Sequence, residues 1–143
     1  MAEFALMFPL FLLVLFAIID IGRYIFVTSS FNQGAREGAR FGSVEKWQFA
    51  CPASVPSPDR FTCTAQVTSD VIAGAPGAPV VTVTCATALG VNQTASLCGT
   101  DDLLTVNAKT ATSGPGSFHF LTPIIGQILV PPPIEGEATV VVQ

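Results

Sequence analysis

Residues 4–19 read FALMFPLFLLVLFAII without a charge, and apart from Asp20, Gly22 and Arg23 the apolar character runs on to Val27. As a helix rising 1.5 Å per residue, the stretch from Phe4 to Arg23 covers roughly 30 Å, the thickness of a bilayer's hydrocarbon core. The Leu, Ile, Phe and Val side chains together favour insertion by about 4–7 kcal/mol, before Pro9 and Asp20 are set against them. A cleaved signal peptide competes for this pattern, but it needs a basic front and a small-residue cleavage site. Here the front is Met-Ala-Glu and the run is followed by Asp-Ile-Gly-Arg-Tyr, so a retained transmembrane segment is expected over residues 1–27.

The ends of the span carry its polar residues. Asp20 and Arg23 are three positions apart, share a helix face and can neutralise each other, with Tyr24 beside them as an interfacial aromatic. This places the water boundary near residues 20–24. At the other end, Glu3 can reach the headgroup layer and suits the positive end of the helix dipole. It can equally wait there for a cationic partner from another subunit.

Beyond the boundary residues 28–48 hold no proline and repeat small residues every fourth position, at Gly34, Gly38 and Gly42, with Ala35 and Ala39 alongside. The helix is expected to continue as a stem. Each glycine costs about 1 kcal/mol against alanine in an exposed helix interior. A stripe of three therefore implies close backbone approach, either by the protein's own globular part or by a neighbouring subunit.

The pattern changes near Phe49. The stretch ACPASVPSPDRFTC packs three prolines and two cysteines together, and all four cysteines, Cys51, Cys63, Cys85 and Cys98, lie beyond this point. An even count in a Pro-rich extramembrane segment points to disulfides and an oxidising compartment. Spacing favours the local pairs Cys51–Cys63 and Cys85–Cys98. Zinc is the weaker reading, because no close Cys-x-x-Cys spacing occurs and His119 is the single histidine.

Residues 62–72, 79–88, 103–112 and 137–142 are rich in Val and Thr, alternate in part and are separated by Pro/Gly punctuation, so they are expected to form strands. Residues 122–129 open with Thr-Pro, a helix-start signal, and suggest a helical turn or two. The fold class expected is α+β and pilin-like. A long N-terminal helix, transmembrane in its first half and amphipathic in its second, carries a small disulfide-stabilised antiparallel sheet domain over residues 49–143.

Composition narrows the function. Charged residues make up 11% of the 143, and 6 basic against 10 acidic side chains give a net charge of −4, which is no footprint for nucleic acid. No phosphate loop, H-E-x-x-H helix or G-x-S-x-G elbow is present, so neither a catalytic residue nor a cofactor or metal site is assigned. Asp101-Asp102 reads as a turn, and Asn92-Gln93-Thr94 satisfies the N-glycosylation pattern.

Taken in order, Glu3-Phe4-Ala5-Leu6, Pro9, Ile18-Ile19-Asp20-Ile21-Gly22-Arg23 and Gly34-Ala35-Arg36-Glu37-Gly38-Ala39-Arg40-Phe41 resemble the TadE-like family, pseudopilins of tight-adherence pilus systems. The resemblance covers the first third of the chain. It implies a single-pass protein of the bacterial inner membrane with an extracytoplasmic C-terminal domain, acting as a minor pilin or assembly subunit in adhesion and secretion machinery and able to enter an extracellular pilus. The implied partners are other pilin-like subunits, the pilus assembly machinery and the lipid bilayer. Glu3 then corresponds to the acidic residue that sets subunit registry, and Phe4, Pro9, Leu13 and Phe16 are the residues expected to pack in the membrane or against like helices. A membrane-anchored binding module outside any filament is the alternative.

In that family a basic leader precedes the Glu and is removed by a prepilin peptidase, whereas this chain starts two residues before Glu3. Arg23, Arg36, Arg40 and Lys46 all follow the span and by count alone would hold the C-terminal side inside the cell. The cysteines put it outside. Either leader residues belong upstream and restore the charge bias, which the mismatch hints at, or this member is not processed.

Overall fold

A computed structural model describes residues 2–44, 48, 51–75, 78–111 and 133–143, and within the first helix the side chains of residues 4 and 7 onward. The helix α1 runs unbroken over Ala2–Ser43, about 63 Å at the usual rise. Pro9 lies inside it, as prolines do in membrane helices, where neighbouring groups re-satisfy the freed carbonyl.

Residues 62–72, expected as a strand, belong to a second helix, α2 (Arg60–Ile72). The reason is local. Asp59 is an N-cap whose carboxylate accepts from the Thr62 amide at 2.7 Å, while the Thr62 hydroxyl accepts from the Asp59 amide at 3.0 Å. This capping box satisfies two donors at the helix start and outweighs the β preference of Thr and Val in the segment.

The remaining elements are strands β1 (Pro79–Ala86), β2 (Asn92–Gln93), β3 (Leu103–Thr110) and β4 (Glu135–Val141). They form one antiparallel sheet in the order β2-β1-β3-β4. β1 turns into β2 through Gly90, whose φ of 79° suits a residue without Cβ. The segment 122–129 and His119 lie outside the described residues.

One sheet face is covered by both helices. Register brings Val81, Ala108 and Gly136 into one inward row, Val83, Val106 and Ala138 into the next, and Cys85, Leu104 and Val140 into a third. Ala35 and Ala39 of α1 pack on the middle row, while Val27 and Phe31 join Ile72, Ala75, Ala108 and Ile134. The opposite face is polar, with the Thr105 and Thr139 hydroxyls 3.0 Å apart and Lys109 paired to Glu135 at 3.0 Å. Alternation along the strands thus follows the expected one-sided burial. The fold is α+β, a long apolar helix with a small antiparallel sheet.

Two disulfides close local loops. Cys51 is bonded to Cys63 and Cys85 to Cys98. The first ties the Pro-rich segment to α2, and the second ties β1 to the turn that leads into β3.

Candidate functional site: the bare half of the long helix

Two halves of α1 meet different surroundings. Over residues 27–42, Val27, Phe31, Gly34, Ala35, Gly38, Ala39 and Gly42 are buried on one face. Over residues 4–19 no side chain that is described is buried. Phe4, Met7, Leu10, Leu13 and Phe16 are all exposed, and Phe4 stacks on Phe8 with ring centroids 5.8 Å apart. The apolar surface wraps the whole circumference. A helix that is hydrophobic all round has no stable place in water; it needs lipid or other helices. In length and composition it can cross a membrane.

The glycine stripe is used within the chain. A Cβ at Gly38 would collide with the Thr68 hydroxyl, one at Gly34 with the Ile72 side chain, and one at Gly42 with Leu104 and, at 2.6 Å, with the Thr64 hydroxyl. The three glycines therefore let α2 cross against α1 at close range. Of the two expectations for the stripe, the chain's own domain is the partner. Thr68 donates to the Thr64 carbonyl at 2.7 Å, which turns its hydroxyl into part of the helix surface instead of an unmet group.

Sequence reasoning missed a second close approach. Gly136 of β4 lies against the backbone of Phe31, where a Cβ would meet the Phe31 carbonyl group and come within 2.8 Å of the Asn32 amide nitrogen. A lone glycine in a Val-rich strand is the signal that could have revealed it.

At the junction of the two halves Asp20 is only 1% exposed, although Ile18, Ile19 and Ile21 around it are open. It lies on the same helix face as Val27 and Phe31. Arg23 and Tyr24 are partly buried, and none of these three polar residues lacks a partner. The side chain of Glu3 lies outside the described residues.

Among the described residues, ordinary chemistry has little to work with. A depression of about 390 Å³ beside α2 is lined by Ser54, Pro56, Thr62, Gln66, Ser69 and Val81 among others, none of the lining groups an acid, base or thiol. Cys85, Cys98 and Asp102 stand close enough to hold a cation, but both sulfurs are spent in the disulfide and Asp102 accepts from the Gly99 amide at 2.9 Å.

Against known proteins, the match falls on α1. Residues 1–40 are TadE-like. The family, described as TadE-like protein, thus matches the bare half of the helix and most of the glycine stripe, and its match stops before α2 and the sheet. No curated protein and no solved structure matches the chain. TadE-like proteins are pilus-associated structural proteins; this chain is similar to them over residues 1–40, and its apolar helix is a candidate membrane anchor.

Proposed function

We propose that this TadE-like chain is a minor pilin or assembly subunit of a tight-adherence pilus, working by helix packing and not by catalysis. The observation that carries the reading is the bare half of α1, whose apolar surface is continuous around the helix and unclaimed by the chain's own sheet domain. In this reading residues 1–27 store the subunit in the inner membrane, residues 28–48 form the stem, and residues 49–143 form an extracytoplasmic head held by two disulfides. On extraction the exposed Leu13 and Phe16 surfaces exchange lipid for equivalent helices at little hydrophobic cost, since lipid tails and Leu side chains are alike apolar. Glu3, with Pro9 and Phe4 behind it, sets the register of one subunit on the next. Pilin-like subunits and the assembly machinery are the partners, with a prepilin peptidase acting if a leader precedes the chain.

The test is photocrosslinking from Leu13 in cells that assemble the pilus, combined with Glu3→Ala. Ladders of adjacent pilus subunits, together with impaired piliation but normal membrane insertion in Glu3→Ala, are expected. Monomers only, with piliation untouched, would leave a membrane-anchored binding module as the better description.

A further inference from the structure

We infer that a second copy of this chain docks sideways on the first, the outer face of its sheet against the solvent face of the first copy's stem. The inference rests on reading α1 as a membrane span, which holds all copies at one height. Both faces are open. On the stem Ser29, Gln33, Arg36, Glu37 and Arg40 are exposed, and at about 100° per residue they form an arc half a turn from Phe31 and Ala35, which face the sheet domain. On the sheet, register places Thr82, Asn107 and Glu137 in one outward row and Thr84, Thr105 and Thr139 in the next, and none of them is buried.

Charge selects the occupant. Arg36 has no ion pair among the described residues, and Arg40 makes only an exposed 3.8 Å contact with Glu37, so the stem arc is net cationic. The outer sheet face is net anionic. Lys109 is taken up by Glu135 at 3.0 Å, which leaves Glu137 without a cation, and Asp101 adds an exposed carboxylate at the upper end of the sheet. Asn107, opposite Glu137 on β3, has a carboxamide oxygen with no hydrogen-bond partner, so this spot holds acceptors and lacks donors. A guanidinium, with five donors and a permanent charge, is the group that answers it. The chain's own Arg36 and Arg40 lie on the far side of α1 from the sheet. The match is therefore made between copies.

Height makes the same selection. α1 and β4 run in the same direction, with Gly136 against the Phe31 backbone. Glu137 stands about 3 Å above that level by strand rise, and Asp101, bonded to Val142, about 20 Å above it. Arg36 and Arg40 stand about 8 and 14 Å above it by helix rise. Both arginines fall between the two acids, so copies anchored in one bilayer need no sliding to meet. The contact joins two different faces and leaves one of each free at the ends of a pair, so subunits add in a row. A sheet layer then separates neighbouring stems, and the spans lie roughly 20 Å apart with lipid between them. The row is an arrangement of stored subunits, distinct from helix-to-helix packing.

The test uses the full chain, both native disulfides intact, reconstituted into phosphatidylcholine vesicles. One population carries Gln33→Cys on the stem arc and the other Thr139→Cys beside Glu137, and a short thiol-to-thiol crosslinker is added. Mixed pairs are expected to outnumber like pairs and to decline with rising salt. Arg36→Glu or Glu137→Arg, introduced in both populations, should lower the mixed yield by about tenfold or more, since like charges then face each other. Chains carrying both reversals should regain it, which separates a lost contact from a lost fold. Like pairs as abundant as mixed ones, or a yield indifferent to the reversals, overturn the inference. Photocrosslinks from Leu13 in the same vesicles without mixed pairs also overturn it, because copies then meet through their spans. Chain that does not float with the vesicles removes the span reading and the inference with it. Piliation in Glu3→Ala is read separately, so a failure confined to the mixed pairs leaves the proposed function standing.

Discussion

The two halves of α1 belong to one uninterrupted helix and are similar in their use of large apolar residues, yet only one half is committed. Phe31 is 0% exposed and sits among Val27, Ile72 and Ile134, whereas Phe16 is 44% exposed and joins none of the core clusters of the described residues. The difference is not in hydrophobicity. It lies in the small residues: Gly34, Gly38 and Gly42 on α1, answered by Thr64 and Thr68 on α2, let two backbones come near enough for the few large side chains to interlock. Over residues 4–19 no described side chain is buried, so there the same kind of apolar surface stays open.

Substitutions that act on one half only can break this contrast. The largest effect is expected from Phe31→Ala, which should destabilise the head by about 3–5 kcal/mol through the cavity it leaves. Phe16→Ala should leave head unfolding unchanged, and hydrogen exchange of the β3 amides in detergent-solubilised protein reads both. Equal loss of protection in the two variants would show that the halves are coupled.

Removing either disulfide alone comes next. Loops of 12 and 13 residues correspond to about 3 kcal/mol each in the chain-entropy account. The head should lose near-UV circular dichroism at lower denaturant while the helical signal of the span persists. Smaller is Gly38→Leu, expected to cost about 1–3 kcal/mol because a side chain must be forced between α1 and α2. Gly22→Leu, at a position with no atom near its Cβ site, should not destabilise the head at all. The smallest is Arg40→Ala. Its contact with Glu37 is 3.8 Å long and well exposed, so denaturant midpoints should move by no more than about 0.5 kcal/mol.

How much of this was legible beforehand varied with the physics involved. The long helix was readable because a continuous apolar run leaves few alternatives, and three strands were readable because Val and Thr alternate between turn residues. The helix end was less legible: the described α1 closes at Ser43, although Glu45 to Gln48 carry no breaker. α2 was misread because its buried face is made of Cys63, Thr64, Thr68 and Ile72. Threonines facing glycines look like a strand when hydrophobic periodicity is the guide. The D-R-F-T capping box was the better signal. The burial of Asp20 was not legible either, because a carboxylate three positions from an arginine reads as a solvated pair at a membrane boundary.

The pairing of α1 with β4 has a mechanical consequence. The two run side by side in the same direction, from Phe31 beside Gly136 to Ser43, whose carbonyl accepts from the terminal Gln143 amide at 3.0 Å. A pull that separates head from shaft along the helix axis therefore loads this pair in shear. The contacts must slip together instead of opening one by one. Slippage also meets a steric stop, because only glycine fits beside the Phe31 carbonyl and the inward neighbours on either side of Gly136 are Ile134 and Ala138. The head is latched to its shaft along the direction in which a filament under tension would tug.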